Sequence, residues 1–302
     1  MDRRAFAALL PAAMLARAAM SQAGNGALIA RAIPATGERL PVVGLGTWQV
    51  FDVAPGSREF AEARETLASF AAGGGTVVDS SPMYGRSENV LGDLMAASGL
   101  RARLFVATKV WTRGRAEGVA QMRDSMAKLK VEALDLMQVH NLVDTDHHLA
   151  TLAAWQREGR VRLTGITHYH AGAHRELETA LARHRVATLQ VNYSLAEPEA
   201  EDRLLSVCRE RGVAVIVNRP FAEGAMFARV RGRPVPEWAR AELGVESWGQ
   251  YFLKWILGHE AVTVAIPGTR NPRHVVDNLG AARGVLPDAA QRARMRAEWA
   301  AA

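Results

Sequence analysis

Eight apolar runs of five to seven residues, each bounded by turn formers, alternate along this chain with helix-like stretches. The runs are VVGLGT (42–47), TVVDS (76–80), LFVATK (104–109), LDLMQVH (134–140), VRLTGIT (161–167), TLQVNY (188–193), VAVIVN (213–218) and VTVAIP (262–267). In the segments between them, apolar residues recur at spacings of three and four, which marks a helix face packed on a sheet. Strand and helix in alternation imply parallel strands joined by right-handed crossovers. Eight such units closing on themselves predict an α/β fold, a (β/α)8 TIM barrel. The competing open sheet would carry a GxGxxG fingerprint after its first strand, and GLGTW at 44–48 lacks the second half of it. Ahead of the barrel, IARAIP-ATGE-RLP reads as an N-terminal β-hairpin. A helix-poor stretch over 219–244 interrupts the seventh unit, and insertions at that end of a barrel commonly form lids.

A chain of 302 residues can bury a large core, and residues 24–302 read as a single barrel domain. The first 23 residues read separately. MDRRAFAALLPAAMLARAAMSQA pairs Arg3 with Arg4, places Phe6 two positions on, and offers small-residue cleavage points after Ala18 or Ala23. This resembles a twin-arginine export leader, which predicts a periplasmic protein and a passing partnership with export machinery. The bland alternative is an N-terminal extension of a cytoplasmic protein. Of the net charge of +6, the leader holds +2, and the remaining +4 is spread without a basic stripe. That surplus suits a phosphorylated small ligand and argues against nucleic acid. No stretch is long and apolar enough to predict a membrane span. Cys208 is the only cysteine, which excludes an intrachain disulfide, and it reads as a small buried residue. In DTDHH (144–148) the two histidines are adjacent, so capping of a helix start explains the segment better than metal binding.

Three of the runs carry a chemically loaded side chain at or next to their last position: Asp79, Lys109 and His140, with Tyr84 following in the loop SSPMYG. In α/β barrels the carboxyl ends of the strands are where catalysis sits. A phenol, an ammonium, a carboxylate and an imidazole at neighbouring strand ends would converge on one pocket as a proton-relay set. Tyr84 can donate, yet a free phenol titrates near pH 10. A neighbouring ammonium, Lys109, is expected to lower that value. Asp79 would position Lys109 and offset its buried charge. His140 can direct a hydrogen bond at negative charge developing on a bound ligand.

Six motifs in order, GLGTW (44–48), VVDSSPMYG (77–85), ATKVW (107–111), QVHN (138–141), LQVNYS (189–194) and IPGTRNPRHVVDNLGAA (266–282), resemble the aldo/keto reductase family over nearly the whole chain after the leader. The resemblance implies that Tyr84 is the acid/base, Lys109 and Asp79 its tuning pair and His140 the orienter of substrate. It implies that Gly46, Thr47 and Trp48 line the nicotinamide ribose and the substrate mouth, with Asp79 beside them, and that Gln190 binds the carboxamide. Thr167 and His168 stand where the family usually has serine and asparagine. Asn218, Arg219, Pro220 and Phe221 stand where it often has a stacking aromatic followed by Ser-Pro-Leu. Gly268, Thr269, Arg270, His274 and Asn278 fall on its adenosine phosphate segment, and Pro272 opens a helix whose amides favour phosphate. Arginine suits a 2′-phosphate, so NADP(H) is preferred to NAD. Trp48, Met83, Trp111 and His140 are expected to line the carbonyl substrate. The predicted activity is reduction of an aldehyde or ketone. The rival is a nicotinamide sensor or regulatory subunit with little turnover, as some relatives are.

Overall fold

The computed structural model of the chain describes residues 26–301, so the expected leader over 1–23 lies outside the described residues. A short hairpin, β1 (Ala30–Ala32) and β2 (Arg39–Pro41), comes first. Eight parallel strands follow: β3 (Leu45–Gly46), β4 (Val77–Asp79), β5 (Phe105–Val110), β6 (Leu134–His140), β7 (Val161–Thr167), β8 (Thr188–Asn192), β9 (Ala214–Asn218) and β10 (Val262–Ala265). Seven of the eight predicted runs contain one of them whole, the run 104–109 stops one residue short of the end of β5, and sequence order equals spatial order. The sheet closes between its first and last strands through parallel bridges, Val43 with Ala265 and Gly46 with Gly268. At that seam Gly44 N–H donates to the Ala265 carbonyl at 2.8 Å, and Ala265 N–H donates to Val42 at 2.9 Å.

The inward faces explain why the site lies at one end. Alternate residues of each strand point into the barrel. At the lower levels these are apolar: Val77, Phe105, Ala107, Leu136, Leu163, Ile216 and Val264 form one buried cluster. Ile33 and Leu40 of the hairpin join that cluster and plug the bottom of the barrel. Further along the same faces the inward positions turn polar: Asp79, Lys109, Gln138, His140, Thr167 and Gln190, all buried. The register sets them side by side, with Lys109 beside Gln138, His140 beside Thr167, and Thr167 beside Gln190. Gly165 of β7 makes room for them, since a Cβ there would stand 2.1 Å from Thr188 Oγ1 and 3.1 Å from Gln138 Cγ.

Helices α1 (Arg58–Ala72), α2 (Ser87–Ser98), α3 (Arg115–Leu129), α4 (Thr145–Arg157), α5 (His174–Arg183) and α6 (Leu204–Glu210) cover the outside of the barrel. The segment expected to be helix-poor contains two short helices, α7 (Ala225–Arg229) and α8 (Glu237–Leu243). Met226, Val230, Val235, Ala239 and Leu243 anchor it by burial, a pattern too brief to show a helical period in the sequence. Then come α9 (Trp248–Leu257), α10 (Pro272–Gly280) and α11 (Ala289–Ala301). Cys208 is fully buried, and burial pushes its thiol up to about 12. Asp144 accepts from Gly114 N–H and binds His147, while His148 pairs with the Thr112 carbonyl, so DTDHH ties two loops together.

Candidate active site

A cavity of about 990 Å³ opens at the carboxyl ends of the strands. Tyr84 and His140 share its wall, with ring centroids 6.2 Å apart and the rings nearly perpendicular. Lys109 lies behind the phenol, its Nζ 5.0 Å from the ring centroid. That ammonium has no exposed surface; it donates to Asp79 Oδ2 at 2.5 Å and to the Ser80 carbonyl at 2.8 Å. The quartet named from strand ends is therefore brought together. Asp79 is held from its other side as well, because Oδ1 accepts from Gln190 Nε2 at 2.8 Å and from Gln138 Nε2 at 3.2 Å.

Electrostatics departs from expectation at the phenol. Burial pushes Tyr84 above its ordinary value, and the opposing pull of the Lys109 ammonium is partly cancelled by Asp79. The net shift is upward, not downward. Burial would also lower Lys109, but the Asp79 carboxylate and Tyr84 hold it above the usual lysine range. His140 drops to about 2, through burial first and then repulsion from Lys109 and His168. Its ring is thus neutral throughout the physiological range.

Of the residues expected around the cofactor, Gly46, Thr47, Trp48 and Asp79 line the cavity, as do Gln190, Asn218, Arg219, Pro220 and Phe221. Gly268, Thr269, His274 and Asn278 line its far end. The Thr47 hydroxyl lies 3.0 Å from both the Asp79 carbonyl and Ser80 Oγ, which locks the first loop onto β4. Thr167 and His168 are set back from the wall. The Thr167 hydroxyl donates to Gln190 Oε1 at 3.3 Å, and the His168 ring stacks on Tyr169 at 5.3 Å. Asn218 Nδ2 donates to the His168 carbonyl at 3.0 Å, leaving its buried Oδ1 without a protein partner. Arg219 pairs with Glu197 at 3.1 Å and Glu223 at 2.5 Å across the mouth loops. Arg270 also stands off the wall, donating from Nε to Glu62 Oε2 at 3.1 Å.

Trp48, Met83 and Trp111 are each 41% exposed and all face the cavity, a placement that suits an apolar substrate. Sequence reasoning overlooked several neighbours. Asn141, Tyr169, Phe227, Trp248 and Asp277 line the cavity, while Gln138 and Ser81 support Asp79 and His140 from behind. Gln138 was findable, since a glutamine two positions before His140 on the same strand must share its inward face.

The profile of the aldo/keto reductase family matches residues 42–297. The chain belongs to the aldo/keto reductase family. It is an oxidoreductase of that family, with relatives spread across bacteria and fungi. Methylglyoxal reductase YeaE of Escherichia coli (strain K12) is 28% identical over 250 residues, spanning 79% of this chain and 84% of that one. Aldo-keto reductase str7 of Strobilurus tenacellus is 27% identical over 256 residues, 72% of this chain and 75% of its own. Among solved structures, an aldo-keto reductase from Klebsiella pneumoniae in complex with NADPH superposes with a TM-score of 0.75. It is 25% identical and covers 91% of this chain and 96% of its own. Another from Klebsiella pneumoniae, in complex with NADP and acetate, has a TM-score of 0.71 at 26% identity, covering 87% and 93%.

Proposed function

We propose that this aldo/keto reductase converts an aldehyde or ketone to an alcohol with NADPH, and that Tyr84 donates the proton. The observation that carries the reading is the buried Lys109–Asp79 pair beneath a phenol that faces a neutral His140 across one cavity. The cavity fits the nucleotide. It runs from Tyr84 to Asn278, keeps the orphaned acceptor Asn218 Oδ1 at its wall, and ends at the nine-residue helix α10 capped by Asn271. Gln190 and Asn218 would hold the carboxamide, and Thr269, His274 and Asn278 the adenosine phosphate end. Arg270 would turn from Glu62 to reach a 2′-phosphate.

Bound NADPH supplies the hydride that reduces the carbonyl carbon. His140 donates a hydrogen bond to the carbonyl oxygen and sets its position over Tyr84. The phenol stays protonated at neutral pH, since burial raises it, and it transfers its proton to the far more basic oxygen of the nascent alcohol. The phenolate left behind faces the Lys109 ammonium, which Asp79 keeps in place until a solvent proton restores the phenol. Trp48, Met83 and Trp111 exclude water from the reacting carbon.

Tyr84→Phe removes the proton and leaves the cavity intact. NADPH binding, read by fluorescence, is expected to survive while NADPH oxidation with a panel of aldehydes and ketones falls about 10³-fold. Turnover within tenfold of the parent would remove Tyr84 from the mechanism.

For its location, we propose export through the Arg3–Arg4 leader. Cell fractionation of the parent and of a variant with both arginines changed to lysine tests this; identical distributions overturn it.

A further inference from the structure

Ser81 lies against the ring of His140. A neutral imidazole carries a single ring proton, and only the tautomer with the proton facing the cavity can donate to a substrate oxygen. The His140 Nδ1 atom lies 3.2 Å from Ser81 Oγ, and both residues are buried. Nε2 has no protein partner among the described residues, and the ring lines the cavity. The proton must therefore sit on Nε2 for His140 to orient a carbonyl.

Distance alone does not assign the donor between Ser81 and His140, but the surroundings do. Ser81 Oγ already accepts from Met83 N–H at 3.4 Å. If Nδ1 carried the proton, Oγ would accept a second time, and the serine hydrogen would be left with no acceptor in a fully buried place. With the hydroxyl donating instead, the chain Met83 N–H to Ser81 Oγ, Ser81 O–H to Nδ1, is complete. We infer that Ser81 is a positioning residue which donates to His140 Nδ1 and thereby keeps the proton on Nε2, aimed at the reacting carbonyl. The stretch Asp79–Tyr84 then carries three separate tasks: Asp79 anchors Lys109, Ser81 sets the imidazole, and Tyr84 gives the proton.

This inference rests on the reductase reading for its purpose, and its test stands apart from that reading. In ¹⁵N-histidine-labelled protein, the long-range proton–nitrogen pattern of His140, assigned by its loss in His140→Asn, reports the tautomer of the resting protein directly. The Nε2–H pattern is expected at pH 7, and an Nδ1–H pattern overturns the inference whatever the protein reduces. Ser81→Ala should mix the two tautomers and lower kcat about tenfold, with NADPH affinity unchanged; Ser81→Thr, which keeps the hydroxyl, should restore both signals. A Ser81→Ala protein with a single Nε2–H tautomer and parental kcat would overturn it too. Loss of all carbonyl reduction in the parent would instead remove the reductase reading and leave the tautomer result standing.

Discussion

Lys109 Nζ lies 2.5 Å from Asp79 Oδ2, and neither side chain has more than 4% of its surface exposed. An ammonium in such a place survives only while its carboxylate partner is present, because each charge alone would meet a desolvation cost of several kcal/mol. Lys109→Met leaves Asp79 unpaired and is expected to lower unfolding free energy by about 3–5 kcal/mol in urea titration. The double replacement Lys109→Met with Asp79→Leu should recover most of that loss and none of the turnover. Recovery of turnover in the double variant would show that the pair serves stability alone.

His140 couples stability to pH. Its folded value of about 2 lies below the ordinary histidine value of about 6.5, so the unfolded chain binds the extra proton first. Stability from this group is full above pH 6.5 and is lost as pH falls toward 2. Between pH 7 and pH 5 the contribution is about 2 kcal/mol. Denaturation of the parent and of His140→Asn at both pH values should show the parent losing that much more; equal losses would contradict a buried neutral ring.

Arg270 is committed to Glu62, whose other oxygen accepts from Arg58 Nε at 3.0 Å. A 2′-phosphate must compete with that carboxylate and is repelled by it. Arg270→Ala is expected to weaken NADPH about tenfold and to leave NADH almost unchanged, while Glu62→Gln should tighten NADPH. Titration of both nucleotides measures the ratio, and equal effects on the two would place the phosphate elsewhere.

Gly46 sits where the barrel closes. A Cβ there would stand 2.8 Å from the Ile266 carbonyl oxygen, a backbone atom that cannot step aside. Gly46→Ala should therefore destabilise by about 1–3 kcal/mol and shift the seam beside Trp48. Thermal melts give the first quantity and the KM for substrate the second. An unchanged melting temperature would mean that the seam is looser than its hydrogen bonds suggest.

The order of strands and the end of the barrel where chemistry gathers can be read from the amino-acid chain alone. Apolar runs bounded by turn formers and their eightfold alternation with helix-like stretches are local properties, and the carboxyl end of a barrel strand lies at the mouth, so Asp79, Lys109 and His140 were legible without a fold. Tertiary structure alone decided how those groups behave. The direction of the Tyr84 shift follows from how much burial outweighs one ammonium, and burial is contributed by residues far apart in the chain. Gln138, Ser81 and Glu62 acquire their roles only when folding sets them against Asp79, His140 and Arg270. A hydrogen bond requires about 3 Å and a direction, and no spacing along the chain encodes either across strands.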